Sequence, residues 1–146
     1  MFALLGSQVV LAKRESGFQP IPTEQVLSLV SESTCGCIAL PRAGPHVQEN
    51  ILFSTGAADG PALIRVGDEM LSLPRKGSSK GRKTFVNEYG DRASQLVTRT
   101  RYANYKKICN AYPDPPTEGS CFVGTMTARV KGQTIVTNVV QICGCP

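Results

Sequence analysis

The chain has 146 residues, a formal charge of +5, 41% apolar and 6% aromatic content, and no tryptophan. That length suits a single domain that buries roughly 70% of the surface its unfolded form exposes. No apolar run approaches the roughly 18 residues that a helix needs to cross a membrane, which excludes a helical membrane protein. With so few aromatic residues the core needs support, and six cysteines are the evident source.

Met1 to Ala12 (MFALLGSQVVLA) has to be weighed as a leader. No basic residue precedes its apolar run, Gly6, Ser7 and Gln8 interrupt it, and no small-x-small site closes it. It is expected to belong to the fold, with a short strand over Gln8 to Lys13. Pro20-Ile21-Pro22-Thr23 then stops regular structure and sets up a helix. Thr23 is expected to cap it, Glu24 and Gln25 suit its first turn, and Val26, Leu27 and Val30 form its apolar stripe, ending near Ser33.

From Ile38 to Pro74 the chain is punctuated by proline and glycine, with short apolar runs at Ile51-Leu52-Phe53, Leu63 to Val66 and Met70 to Leu73. Short strands separated by turns follow from this pattern. Arg75 to Lys83 (RKGSSKGRK) holds no apolar residue and is expected to be a flexible basic loop. Ser94 to Tyr102 reads as a strand in which Val97, Arg99 and Arg101 share one face. A loop rich in turn residues, Pro113 to Gly119, separates it from Phe122 to Val130 and Gln133 to Cys143. These two runs are joined at Lys131-Gly132 as a β-hairpin. A turn centred there sets Ala128 opposite Ile135 and Val123 opposite Val140. Both faces of the ribbon are apolar, so it is expected to be buried on both sides or paired in an interface.

The fold expected is mainly β, an antiparallel sandwich or barrel-like domain with a C-terminal β-hairpin and one short N-terminal helix. Residues 1–146 form one domain, with residues 1–34 as an N-terminal arm and 75–83 as the loop.

The cysteines run Cys35-x-Cys37, Cys109, Cys121 and Cys143-x-Cys145. Three chemistries fit: disulfides, a zinc site with four thiolates from the two Cys-x-Cys pairs, or reduced thiols packed as small apolar groups. Disulfides in an oxidising environment are favoured for all six. A bridge from Cys109 to Cys121 would clamp the base of the proline-rich loop. The two Cys-Gly-Cys pairs would tie the segment after the helix to the C-terminus, or tie subunits together. Six cysteines allow fifteen connectivities, and spacing does not choose among them.

Ten of the sixteen basic residues lie between Arg75 and Lys107, opposed there only by Glu88 and Asp91, so this third carries +8 and the remainder is mildly acidic. Such asymmetry points to a polyanionic partner, nucleic acid above all, or to an acidic protein face. Arg99 and Arg101 would emerge about 7 Å apart on one strand face, near the spacing of successive phosphates. Lys106 and Lys107 would extend the patch, with Tyr102 and Tyr105 stacking on bases. The competing expectation has these arginines paired with Glu88 and Asp91.

Catalytic signatures are absent: there is no GxSxG, HExxH, P-loop or GxGxxG, and the adjacent Asp68 and Glu69 point in different directions in a strand. The single histidine, His46, stands in a turn-rich stretch where an exposed structural role is expected. No enzyme, cofactor or metal is expected.

Two resemblances cover parts of the chain. Cys121, the hairpin and the closing Cys143-Gly144-Cys145, with Cys109 upstream, resemble cystine-knot growth factors of the neurotrophin and Spätzle type. The upstream Cys35-Gly36-Cys37 is similar to the insect prothoracicotropic-hormone branch. This resemblance implies a secreted ligand that binds a receptor. Asn104-Tyr105-Lys106 through Cys109 to Gly119-Ser120-Cys121 resembles the loop of some small RNA-phage coat proteins, where two cysteines bridge subunits. The leading expectation is a self-assembling structural protein, such as a viral coat or other particle subunit, located in a virion or extracellular particle. Its partners would be copies of itself and nucleic acid.

Overall fold

Lys131 and Gly132 both adopt positive φ, 51° and 75°. That pair of angles makes the tight turn whose twist matches the twist of the two strands leaving it. In this computed structural model, which describes residues 17–29, 35–57, 60–109 and 118–145, the strands on either side are the longest of the fold. They are β8 (Glu118–Val130) and β9 (Gln133–Cys145), paired without interruption from Val130↔Gln133 to Glu118↔Cys145. The expected pairs Ala128↔Ile135 and Val123↔Val140 are both present.

Seven further strands extend this ribbon on its two sides: β1 (Gly36–Pro41), β2 (Phe53–Thr55), β3 (Ala62–Val66), β4 (Glu69–Leu73), β5 (Arg75–Lys80), β6 (Phe85–Gly90) and β7 (Ser94–Tyr102). The order across the sheet is β4-β3-β2-β1-β9-β8-β7-β6-β5, and every pairing is antiparallel. The two outermost strands are consecutive in the chain, separated by Pro74 alone. A sheet whose opposite edges are joined by one residue has to curl, so the nine strands form a nearly closed barrel. β4 pairs with β3, and after Pro74 the chain passes to β6, beginning with Gly90 N–H donating to the Pro74 carbonyl at 2.8 Å. Proline has no N–H to give a ladder, so it fits where one strand changes partners.

The two-residue side-chain period then builds two cores. Phe53, Ile64, Leu96, Met126 and Val139 fill the inner face with Tyr89, whose ring meets Phe53 edge-on at 5.8 Å. Outward-facing Leu40, Val123, Val140 and Ile142 form a second buried cluster. Its cover is Ile21, Val26 of helix α1 (Thr23–Leu29), Ile51, and Cys109 at the end of a π-helical turn over Tyr105–Cys109. The central strands are thus buried on both sides, as their sequence implies.

Two expectations need correction and two fall outside the described residues. Arg75–Lys80 is not a flexible loop but the edge strand β5, paired with β6 from Lys80↔Phe85 to Arg75↔Tyr89 with a bulge between Arg75 and Gly77. Its polarity reflects its place: none of its side chains is buried, and lysines on an exposed edge oppose pairing with other chains. Thr23 does not cap α1. Pro22 holds the cap position, its carbonyl accepting from the Val26 N–H at 3.3 Å, and Thr23 is the first helical residue. The strand expected over Gln8 to Lys13 and the helix end near Ser33 lie outside the described residues.

Disulfides join Cys37 to Cys143, directly opposed on β1 and β9, and Cys109 to Cys121. Cys35 is disulfide-bonded as well, and Cys145 ends β9 with its thiol outside the described residues. The bridge between Cys109 and Cys121 lies within one chain, not between subunits as the phage-coat resemblance implies. Replacing both cysteines by alanine is expected to lower unfolding free energy by roughly 3 kcal/mol through the loop entropy returned to the unfolded chain, measured by urea titration. Burial raises the Tyr89 phenol above its ordinary 10.0, with Arg75 opposing in part. The group therefore contributes stability below that value which is lost as pH rises through its raised pKa. Tyr89→Phe is expected to remove this part of the alkaline melting-temperature decline while keeping the edge contact with Phe53.

Candidate nucleic-acid interface

Strand β7 carries three of the six nucleic-acid residues singled out from sequence, Arg99, Arg101 and Tyr102, and its alternation divides them between two faces. Leu96, Thr98 and Thr100 point inward and are buried. Val97, Arg99 and Arg101 point outward, with both arginines exposed. Arg99 stands in a row with Val86, Thr125 and Asn138, and Arg101 is opposite Val123 at the margin of the covered cluster. The competing expectation fails in this structure. Among the described residues the ion pairs are Arg65–Asp68 at 3.7 Å and Lys131–Glu69 at 3.6 Å, so Glu88 and Asp91 engage neither arginine.

Asp91 is occupied otherwise. Its Oδ1 accepts from the backbone N–H groups of Ala93 at 2.8 Å and Ser94 at 3.1 Å, closing the turn between β6 and β7. These bonds favour the ionised form and hold the carboxyl below its ordinary value, the Ser94 bond foremost.

Past the end of β7, Lys106 and Lys107 are exposed on the π-helical turn, which Asn104 fastens by accepting the Lys107 N–H at 3.1 Å. Ala103 N–H donates to the Cys121 carbonyl at 2.9 Å, so the start of β8 holds this segment at the strand end. The side chain of Tyr105 lies outside the described residues.

Tyr102 is where the sequence grouping departs most from the structure. By parity it belongs with Leu96, Thr98 and Thr100, not with the arginines. It lies where β7 leaves the packed interior and is 62% exposed. Its ring stacks on Phe122 of β8 at 4.9 Å and 26°, and meets Phe85 of β6 edge-on at 5.0 Å. Phe85 and Phe122 also meet edge-on at 5.5 Å, and Lys80 Nζ sits 5.5 Å from the Phe85 ring centre. Phe85, Phe122 and Lys80 were not legible as site residues from composition. The signal for them was cross-strand register, Tyr102↔Phe122 and Phe85↔Thr100, which needs the pairing first.

Cys35, Cys37, Cys109, Cys121 and Cys143 are all disulfide-bonded, which removes the zinc and free-thiol alternatives for these five. No cluster of three or more His, Cys, Asp or Glu residues suited to a metal occurs among the described residues. His46 is half-buried rather than exposed, with Nε2 lacking a partner among them. None of the helices described is long and apolar enough to cross a membrane. Compared with known protein families, with curated proteins and with solved structures, the chain shows no match.

Tetranitromethane is expected to nitrate Tyr102 well before Tyr89, which is only 4% exposed, as followed by peptide mass mapping.

Proposed function

We propose that the protein is a structural, self-assembling subunit, such as a viral coat or other particle subunit, that holds nucleic acid against a basic face. The observation that carries this reading is a run of cations without counter-charge. Arg99, Arg101, Lys106 and Lys107 are exposed, and no carboxylate among the described residues pairs with any of them. Their like charges crowd one strand and the turn after it, an arrangement that a polyanion relieves. Self-association draws support from the other half of the same outer surface. Val97, Thr127 and Val136 stand in one row across β7, β8 and β9, and Val136 is 61% exposed, while the neighbouring Val123 and Val140 are buried under α1 and the π-helical turn. A second copy would cover what the chain's own helix leaves open. The bridges suit an oxidising compartment, as for an extracellular particle.

One observation favours the alternative, a secreted cystine-knot-like ligand for a receptor: Cys143 of the closing Cys-x-Cys is tied to Cys37 of the upstream one. Mass in solution separates the two. Very large assemblies support the particle subunit, and a monomer or dimer supports the ligand. For the basic face, Arg99→Gln with Arg101→Gln is expected to weaken nucleic-acid binding uniformly across sequences. The slope of log affinity against log salt should flatten by about two phosphate equivalents. An unchanged slope, or no binding by the unaltered protein at low salt, refutes that assignment.

A further inference from the structure

Three of the chain's nine Phe and Tyr residues meet at one rim of the barrel, on the inner side of β6, β7 and β8. Aromatic rings grouped half in water, rimmed by polar residues, are the kind of exposed apolar patch that marks a binding site. Phe122 shields one face of Tyr102 and Phe85 abuts its edge, leaving most of the Tyr102 ring in solvent. The ring is therefore braced in one orientation with the remaining face open.

The surroundings specify the occupant. Lys80 lies against Phe85, exposed Arg82 and Lys83 fill the turn that leads into Phe85, and Lys106 and Lys107 follow Tyr102 after three intervening residues. Cations therefore precede and follow the rings, and the partner must offer flat faces and negative charge together. The row of the rings ends on a buried amide. Gln141, directly opposite Phe122 on β9, is 5% exposed; its Nε2 lies 3.5 Å from Cys143 Sγ, while its Oε1 has no hydrogen-bond partner among the described residues.

We infer that this rim is a stacking site for the bases of single-stranded nucleic acid, with the open face of Tyr102 as platform and Lys80, Arg82 and Lys83 along the backbone. The inference rests on the nucleic-acid partner proposed above but assigns base contact to a different face from Arg99 and Arg101. Those arginines meet phosphate, and the rim meets bases. A duplex keeps its bases stacked inside and offers this site nothing, so the inference also names the strand state.

Fluorescence anisotropy with labelled oligothymidylate, an abasic strand of equal length and a duplex tests this on the full chain. Tyr102→Ala is expected to weaken oligothymidylate binding roughly 5- to 100-fold, with the abasic strand unaffected and the salt slope unchanged. Tyr102→Phe should restore most of the affinity, because the stacking face remains. Ultraviolet crosslinking of an iodouridine-substituted oligonucleotide should label Tyr102 or Phe122. Equal losses for thymidylate and abasic strands, or a duplex bound as tightly as the single strand, would overturn the inference. So would Tyr102→Ala binding like the unaltered protein while the double arginine variant loses affinity, an outcome that leaves the basic face standing. Binding of an acidic polypeptide in preference to any nucleic acid would overturn both assignments.

Discussion

The pairing of β8 with β9 sets the faces of everything attached to it. Thirteen residue pairs run from the turn at Lys131-Gly132 to Glu118↔Cys145, and their register determines which side chains enter the barrel. A slip of one residue in either strand would exchange its two apolar sets. Met126, Ala128 and Val139 would turn outward, and Val123, Val140 and Ile142 would turn in. Two-sided burial makes such a slip harder to detect in the sequence yet costly in the fold, because the two sets fit differently shaped surroundings. The interior accepts small Ala39, Ala62 and Ala128 beside larger groups, whereas the outer cluster is shaped by α1 and Cys109. The turn geometry is therefore the natural guard of register, and Gly132 is well suited to its positive φ.

From that register the disulfides follow. β1 pairs with β9 so that Cys37 and Cys143 face each other across the ladder with Cα atoms 4.0 Å apart, a bridge that confirms alignment rather than creating it. Gly36 lies opposite Gly144 and close against Thr55, the last residue of β1's other neighbour, β2, where a Cβ would collide with the Thr55 carbonyl oxygen. The glycine of the first Cys-Gly-Cys thus lets three strands approach, and the cysteine beside it fastens two of them. Gly124 has a similar role between β7 and β8, where a Cβ would meet the Arg99 carbonyl oxygen.

Sequence revealed the strands that bury apolar or β-branched side chains and missed the one that buries none. Ser94–Tyr102 was legible to the residue because Val97, Thr98 and Thr100 make it rich in β-branched side chains, which suit a strand. The hairpin was legible from its turn and its paired apolar runs. Arg75–Lys80 was not, because an edge strand with no buried side chain has the composition of a loop, and its order comes from β6 and from Pro74, both supplied by the rest of the fold. At the candidate interface, Arg99 and Arg101 were placed on one face by their spacing. Tyr102 was grouped with them by proximity in sequence, although its own parity sets it on the other side. Phe85 and Phe122 lie 17 and 20 residues from Tyr102, and only a known register brings those three rings together.

The bridge between Cys37 and Cys143 spans 106 residues of chain. A ribosome makes β1 early and β9 last, so β1 lacks its central neighbour until almost the whole chain has been synthesised. Local hairpins such as β3–β4 and β6–β7 can form as they emerge, but the seam between β1 and β9 must wait, since distant pairings incur their closure entropy before they gain contacts. During that interval Cys37 is a thiol without its native partner, next to apolar Ile38 and Leu40, which later lie in the outer cluster. Completion of the barrel and oxidation of the pair are therefore one late event, and a chain cut short before Cys143 would expose both the thiol and the strand.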